Sequence, residues 1–461
     1  MPLTRNQQAN EADVLDLLQS DPVAFIELCW PEAVLWEKQE SVAQAVANHK
    51  RVTVRSGHGV GKSWLMARLA IWFLTVFKPS KVVTTAPTWT QVEKVLWGEI
   101  ASAYRSSRIP LGGELLNTQW KIADDCFALG ISTREGVDQR DFGSTKLQGF
   151  HSPNLLVILD EAAGVPPETW TGATSLATGS NNRIVAIGNP ASPSGPFYET
   201  FKSPIWHKVE ISCLEHPNVT TGEIVISGAV TKDWVEERKA EWGENSPLYQ
   251  AKVLGQFPVE GSDTLIPLSW VERAVDATVE GDVRKSIGCD VARFGEDETV
   301  IFKSFGNTYE LVESVNKRPT NETAGRLVLA AKDAGAEFVA VDDTGVGGGV
   351  TDMLREQGMS VVPVNFGSAA EDSERFANLK AEIFWNLRED FERNRISIPN
   401  DPVLINQLAS IKYAMTSKGQ IKIESKVDAK KRGLRSPDRA DALAICHYAK
   451  RANWIPEMLW I

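Results

Sequence analysis

The sequence has little cysteine, no long uninterrupted apolar run and no excess of positive charge. Its five cysteines, Cys29, Cys126, Cys213, Cys289 and Cys446, are scattered and include no Cys-x-x-Cys pair. That argues against a disulfide framework and a structural zinc site, and it fits a reducing compartment. The longest apolar stretch, 64–77, is interrupted by Arg68. It falls short of the roughly 18–20 apolar residues of a membrane span and reads as a buried helix. The first residues are polar and carry no signal-peptide pattern, so a cytosolic protein without a membrane role is expected. Net charge is −11 and the isoelectric point about 5.3. Such a balance weighs mildly against a nucleic-acid partner, because counterion release needs clustered Lys and Arg, unless a local patch hides within the whole-chain sum.

What is present is an ordinary globular composition, 43% hydrophobic and 24% charged, spread over 461 residues. That length predicts two or three domains. The first half alternates short β-rich runs (52–54, 82–85, 155–159 and 183–187) with helical patterns, the mark of an α/β fold with a parallel sheet. Residues 205–258, with a charged helix near 233–242, read as a small lid. Gly255-Gln256-Phe257-Pro258 is a plausible junction, dividing the chain into domains 1–258 and 259–461. A new sheet is predicted beyond it, with strands at 286–290, 298–305, 308–314 and 338–341.

Residues 56–63 read Ser-Gly-His-Gly-Val-Gly-Lys-Ser, between the first predicted strand and an apolar helix. Strand, glycine loop, Lys-Ser and helix make the context of a P-loop. Gly57, Gly59 and Gly61 let backbone N–H groups close around phosphate oxygens, Lys62 reaches the β and γ phosphates, and Ser63 ligates Mg²⁺. A Gly-rich turn without nucleotide is the plainer alternative. The run 155–159 ends in Asp160-Glu161, and two acids at the tip of an apolar strand are costly without a cation. Asp160 would hold Mg²⁺ through water, and Glu161 would polarise the attacking water. Gly188-Asn189-Pro190 closes another strand; Asn189 would sense the γ-phosphate, or is a structural turn. Trp36 and Gln39 offer an aromatic face and an amide for adenine, or a surface helix. Arg55, Arg134 and Arg140 are candidates for an arginine finger.

The last third carries three separated acidic positions. Asp290 ends an apolar run, Asp342-Asp343 ends another and precedes the glycines at 345–349, and Asp438 and Asp441 lie three apart on one helix face. Converging carboxylates are stable as anions mainly around metal, and two Mg²⁺ ions so held stabilise the attacking and leaving oxygens of phosphodiester hydrolysis. Any one of these acids alone reads as structural. Between 412 and 435 lie Lys412, Lys418, Lys422, Lys426, Lys430, Lys431, Arg432 and Arg435, against Glu424 and Asp428. This looks like a hairpin, 411–415 with 420–425, that offers cations to a phosphate backbone beside the acids; a solvated charged face is the alternative.

Taken in order, Trp36/Gln39, the P-loop with Lys62 and Ser63, Asp160-Glu161, Gly188-Asn189-Pro190, Asp290, Asp342 and the Asp438-x-x-Asp441-Ala-Leu helix resemble the large subunit of tailed-bacteriophage terminases. The resemblance runs from Trp36 to Leu443. It implies a P-loop ATPase followed by an RNase H-like nuclease, the last helix also resembling that of RuvC-type resolvases. ATP and Mg²⁺ are the implied cofactors, with Mn²⁺ possible at the nuclease, and Asp342 is favoured over Asp343 as the strand-closing ligand. It also implies double-stranded viral DNA, a terminase small subunit and a portal protein as partners, a homopentamer on the portal, and a place in the host bacterial cytoplasm, transiently at the procapsid vertex. A cellular helicase–nuclease or resolvase-like defence enzyme is the competing expectation.

Overall fold

The computed structural model describes residues 5–132, 150–258, 263–280, 283–292, 297–336, 338–416 and 418–451. Internal contacts divide the chain into two units, Met1–Lys239 with Tyr249–Pro258, and Ala240–Leu248 with Val259–Ile461.

The first unit contains strands β1 (Arg51–Ser56), β2 (Ser80–Ala86), β3 (Glu114–Leu115), β4 (Gln119–Ala123), β5 (Cys126–Ser132), β6 (Asn154–Leu159), β7 (Asn181–Gly188) and β8 (His207–Ile211). They form one sheet in the order β3-β4-β5-β2-β6-β7-β1-β8. From β5 to β8 across the sheet the neighbours run parallel, and β3 and β4 add an antiparallel edge. Central β6 is apolar on both faces, with Leu155 to Leu159 fully buried, as a parallel strand covered on both sides must be. Helix Lys62–Val76 is buried along most of its length, packed against β2 and the helices Pro22–Cys29 and Trp97–Ser106. Residues 207–211, placed in the lid on sequence, instead extend the main sheet beside β1. Their alternation of exposed and buried residues is that of an edge strand, a pattern too short to stand out in a mixed segment.

The second unit is built on β9 (Lys285–Asp290), β10 (Glu298–Phe305), β11 (Thr308–Asn316), β12 (Phe338–Asp342) and β13 (Val361–Val364), ordered β11-β10-β9-β12-β13. The three strands β11, β10 and β9 are antiparallel neighbours, whereas β9, β12 and β13 are parallel. Strand parity decides which side chains meet. Ile287, Cys289, Val339 and Val341 enter one apolar cluster with Leu327, Val350 and Leu354 of the helices Thr320–Ala334 and Gly347–Glu356. The alternate residues face the other way, where helix Asp438–Arg451 packs on β9, β10 and β12. Gly288 makes that approach possible: a Cβ there would lie 2.5 Å from the Cα and Cβ of Cys446.

Two candidate catalytic centres, one in each unit

In the first unit, the P-loop, Asp160-Glu161 and Asn189 follow the C-terminal ends of β1, β6 and β7, the edge at which open α/β sheets bind ligands. Gly59 (φ 68°) and Gly61 (φ 84°) take left-handed backbone, which a side chain would strain. Lys62 opens the helix, is buried, and donates to the carbonyl of Gly57 at 3.2 Å; Ser63 follows it in the first turn. Gly57 lies against the thiol of Cys213, which burial pushes up to about 12.

Asn189, on the neighbouring strand, donates to the carbonyl of Ser56 at 2.6 Å, so it ties the end of β7 to the start of the P-loop. Asp160 is buried. Burial first, and then the adjacent Glu161 charge, push its carboxyl up to about 7, with Lys62 pulling the other way. A buried acid held in that condition fits a cation beside it. Glu161 itself has left-handed backbone (φ 46°, ψ 48°), a conformation that costs a non-glycine residue roughly 1–2 kcal/mol. Gly188 permits the turn, since a Cβ there would come within 2.8 Å of the Ala162 nitrogen.

Gln39 donates to the carbonyl of Gly61 at 3.3 Å. Its own carbonyl oxygen and the indole nitrogen of Trp36 are buried without a hydrogen-bond partner among the described residues, as polar groups reserved for a nucleotide would be. Trp36 is not a surface residue: its ring is buried edge-on against His216, 5.0 Å between centroids. Sequence reasoning passed over His58, which lies within electrostatic reach of Lys62, Lys252 and Glu161 and is held below the usual imidazole range, mainly by desolvation. Of the arginine candidates, Arg55 pairs with Glu210 at 2.7 Å and stacks near Phe201 and Phe257. Arg134 and Arg140 lie outside the described residues.

In the second unit Asp290 ends β9 on the face that meets helix Asp438–Arg451. Asp342 ends β12 one residue beyond the Val341–Cys289 pairing, on that same face. Asp343 has the opposite parity, and its N–H donates to the carbonyl of Val364. Burial pushes the Asp290 carboxyl well above the usual range. Lys426 opposes that, while the charges of Asp441, Asp438 and Asp342 add to it. The Asp342 carboxylate accepts from the N–H of Thr344 at 2.9 Å.

The two helical acids differ. Asp438 accepts from the hydroxyl of Ser436 and from the N–H of Glu298 at 2.8 Å. Asp441 takes Lys380 on one oxygen at 2.9 Å; its other oxygen is buried and faces the Lys426 ammonium at 3.2 Å. Lys426 also stands 3.4 Å from Asp438 and 3.9 Å from Asp290. Burial pulls this lysine down, but the three carboxylates outweigh it and hold the ammonium charged well above its ordinary range.

Among the described residues, no three His, Cys, Asp or Glu side chains stand ready to hold a metal ion as they are, and an ammonium sits between the acids. The donor set fits a hard divalent cation all the same: it is all carboxylate, and its acids already gather around one positive charge, the Lys426 ammonium. Asp290, Asp342, Asp438 and Asp441 are the residues that would hold it.

The basic segment is a hairpin, Tyr413–Met415 with Ile421–Ile423, followed by the helix Lys426–Lys431 that the sequence did not suggest. Its cations are not one open phosphate face. Lys412 pairs with Asp263, Lys426 points into the acids, and Arg432 grips Glu424 and the carbonyl of Ser410. Lys430 and Lys431 are exposed, 59% and 70%, and among the described residues pair with the surface acids Asp297 and Asp428. Exposed pairs of that kind are weak, so both lysines remain available to a polyanion.

Residues 55–273 match a family model described as terminase large subunit, T4likevirus-type, N-terminal. The chain is 26% identical over 475 residues to "Probable terminase, large subunit" of Enterobacteria phage P7, covering 96% of this chain and 93% of that protein. It is 24% identical over 286 residues to the terminase large subunit of Thermus phage G20c, 57% of this chain and 56% of that protein. Among solved structures, the large terminase of bacteriophage HK97 aligns at 14% identity and a TM-score of 0.41 over 93% of this chain and 99% of that one, a likeness too distant to bear on function. The chain is thus similar to terminase large subunits, by a family-model match over residues 55–273 and by a relative aligned over 96% of its length.

Proposed function

We propose that this chain is the motor and nuclease of viral genome packaging: it hydrolyses ATP to drive double-stranded DNA into a procapsid and cuts that DNA with its second unit. The observation that carries the reading is the pairing, on one chain, of a P-loop whose lysine acts electrostatically on a buried strand-tip acid with a second sheet and its packed helix, where Asp290, Asp438 and Asp441 gather around the Lys426 ammonium. In the motor, Lys62 and the loop N–H groups bind phosphates, Ser63 and Asp160 hold Mg²⁺, Trp36 and Gln39 take the adenine side, Glu161 orients water, and Asn189 links the γ-phosphate position to β7. In the nuclease, Asp290, Asp342, Asp438 and Asp441 hold Mg²⁺ or Mn²⁺. Bound there, the ions would polarise the scissile phosphate and activate water. Domains are assigned as 1–258 and 259–461. The small subunit and the portal are the proposed partners, with assembly as a homopentamer at the portal vertex in the host cytoplasm. No described helix is long and apolar enough to cross a membrane.

The test separates the two centres. Glu161→Ala should bind ATP and hydrolyse it on the order of a hundredfold more slowly. Asp290→Ala should lose Mn²⁺-dependent nicking of plasmid and keep its ATPase. Loss of both activities from either change in a folded protein would contradict two separate centres. ATP-driven unwinding of a forked duplex would shift the assignment to a helicase–nuclease.

A further inference from the structure

The helix that carries Asp438 and Asp441 does not cap itself. A helix start leaves its first N–H groups without intrahelical partners. Here the preceding residue is Pro437, which has no side-chain acceptor, and Ser436 spends its hydroxyl on the carboxylate of Asp438. The missing acceptor comes from another helix. The N–H groups of Arg439 and Ala440 both donate to Oε1 of Gln407, at 2.9 and 3.0 Å. The same side chain donates through Nε2 to the carbonyl of Ser436 at 3.1 Å. Gln407 therefore grips the backbone on both sides of Asp438.

Its own helix, Pro402–Ser410, is capped by Asp401, whose carboxylate accepts from the N–H groups of Val403 and Leu404. The guanidinium of Arg439 donates to both oxygens of that carboxylate, at 2.8 and 2.6 Å. The two helices are thus clasped at two points, and the acid-bearing first turn is fixed from outside.

We propose that Gln407 is a positioning residue of the nuclease, acting as the helix cap that the local sequence lacks and so holding the carboxylates of Asp438 and Asp441 toward Asp290. The inference rests on the nuclease reading of that centre. Because the residue is neutral and bonds to backbone rather than to the carboxylates, its loss changes geometry rather than charge. Residues one step removed from a metal typically set its affinity by tenfold or more.

Two variants of the full chain test it. Gln407→Leu removes acceptor and donor at similar volume; Gln407→Glu keeps the acceptor and loses the donor. Calorimetric titration with Mn²⁺ should give affinity roughly tenfold weaker for Gln407→Leu and largely recovered for Gln407→Glu, measured in salt high enough to screen the added charge. Hydrogen exchange should quicken about fivefold at the amides of Arg439 and Ala440 in Gln407→Leu, the size of a lost cap, and stay unchanged at Ile445 and Cys446. The ATPase of both variants should equal wild type. Wild-type metal affinity and first-turn exchange in Gln407→Leu would overturn the proposal, as would uniform loss of protection along the whole helix, which marks a merely structural role. A wild-type chain that neither binds Mn²⁺ nor nicks DNA would instead sink the nuclease reading, and the exchange data would still report on the cap.

Discussion

Gly288 offers the sharpest test of how the nuclease centre is held. It stands two residues before Asp290 on β9, on the face covered by the helix Asp438–Arg451. An added Cβ would sit 2.5 Å from the Cα and Cβ of Cys446, where ordinary contact begins near 3.4 Å. The obstructing atoms belong largely to helix backbone, so no side-chain rotation relieves them. Gly288→Ala therefore pushes the helix away from β9 by about 1 Å, and a close-packed interior yields by shifting whole elements. Overpacking of this kind costs roughly 1–3 kcal/mol of stability, which the rest of the unit can absorb. The functional cost is of the same order in free energy but falls directly on the rate, because a 1 Å misplacement of reacting groups is worth about a hundredfold. Asp290 moves relative to Asp438 and Asp441, while the P-loop, in the other unit, keeps its geometry. Plasmid nicking in Mn²⁺ should fall by about that factor, with ATP turnover in the same preparation as the control for folding. A Gly288→Ala protein that nicks at the wild-type rate would refute the claim that this helix-to-strand distance sets the centre.

Replacing exposed Lys430 and Lys431 together with Ala should flatten the salt dependence of duplex binding by about two units if both contact phosphate, and an unaltered slope would return them to a solvated face. Arg432→Ala should leave the slope alone and lower the melting temperature, because that guanidinium is committed to Glu424 and the carbonyl of Ser410. Glu313 is held down to about 2, chiefly by its hydrogen bond from Arg318 and also by Arg326, against the effect of burial. Its folded value is depressed, so its stabilisation is present above the ordinary carboxylate range and lost as pH falls from there toward 2. Glu313→Gln should thus melt below wild type at pH 7, and the gap should shrink below the ordinary carboxylate range and close toward pH 2; a gap that keeps its full pH 7 size down to about pH 2 would show the ion pairs are not its source.

The elements nearest the chemistry were the most legible in sequence. The apolar run at 155–159, short and ending in two acids, reads as a strand buried on both faces, and Ser56 to Ser63 turns as it does because Gly59 and Gly61 accept left-handed backbone. These are local constraints of solvation and sterics, carried by adjacent residues. The acids at 290, 342, 438 and 441 were visible as candidates for the same reason: each ends or begins an apolar element. The last helix could be seen to start at Asp438, where proline and two acids stand together.

What needed the tertiary structure was everything set by partners far apart in the chain. Parity across β9 and β12 puts Asp342 on the face of Asp290 and Asp343 away from it, a choice that depends on which side of the sheet carries the apolar cluster. Lys426, one cation in a basic run, proved to stand among three carboxylates, and Arg432 proved to be a brace. Gln407 carries no motif, and only packing reveals that its amide supplies the cap missing beside Pro437. Local sequence determines which backbone conformations are cheap and which side chains must be buried. The pairing of charges and caps across a core depends on sheet register and helix docking, and those are settled only when distant segments meet.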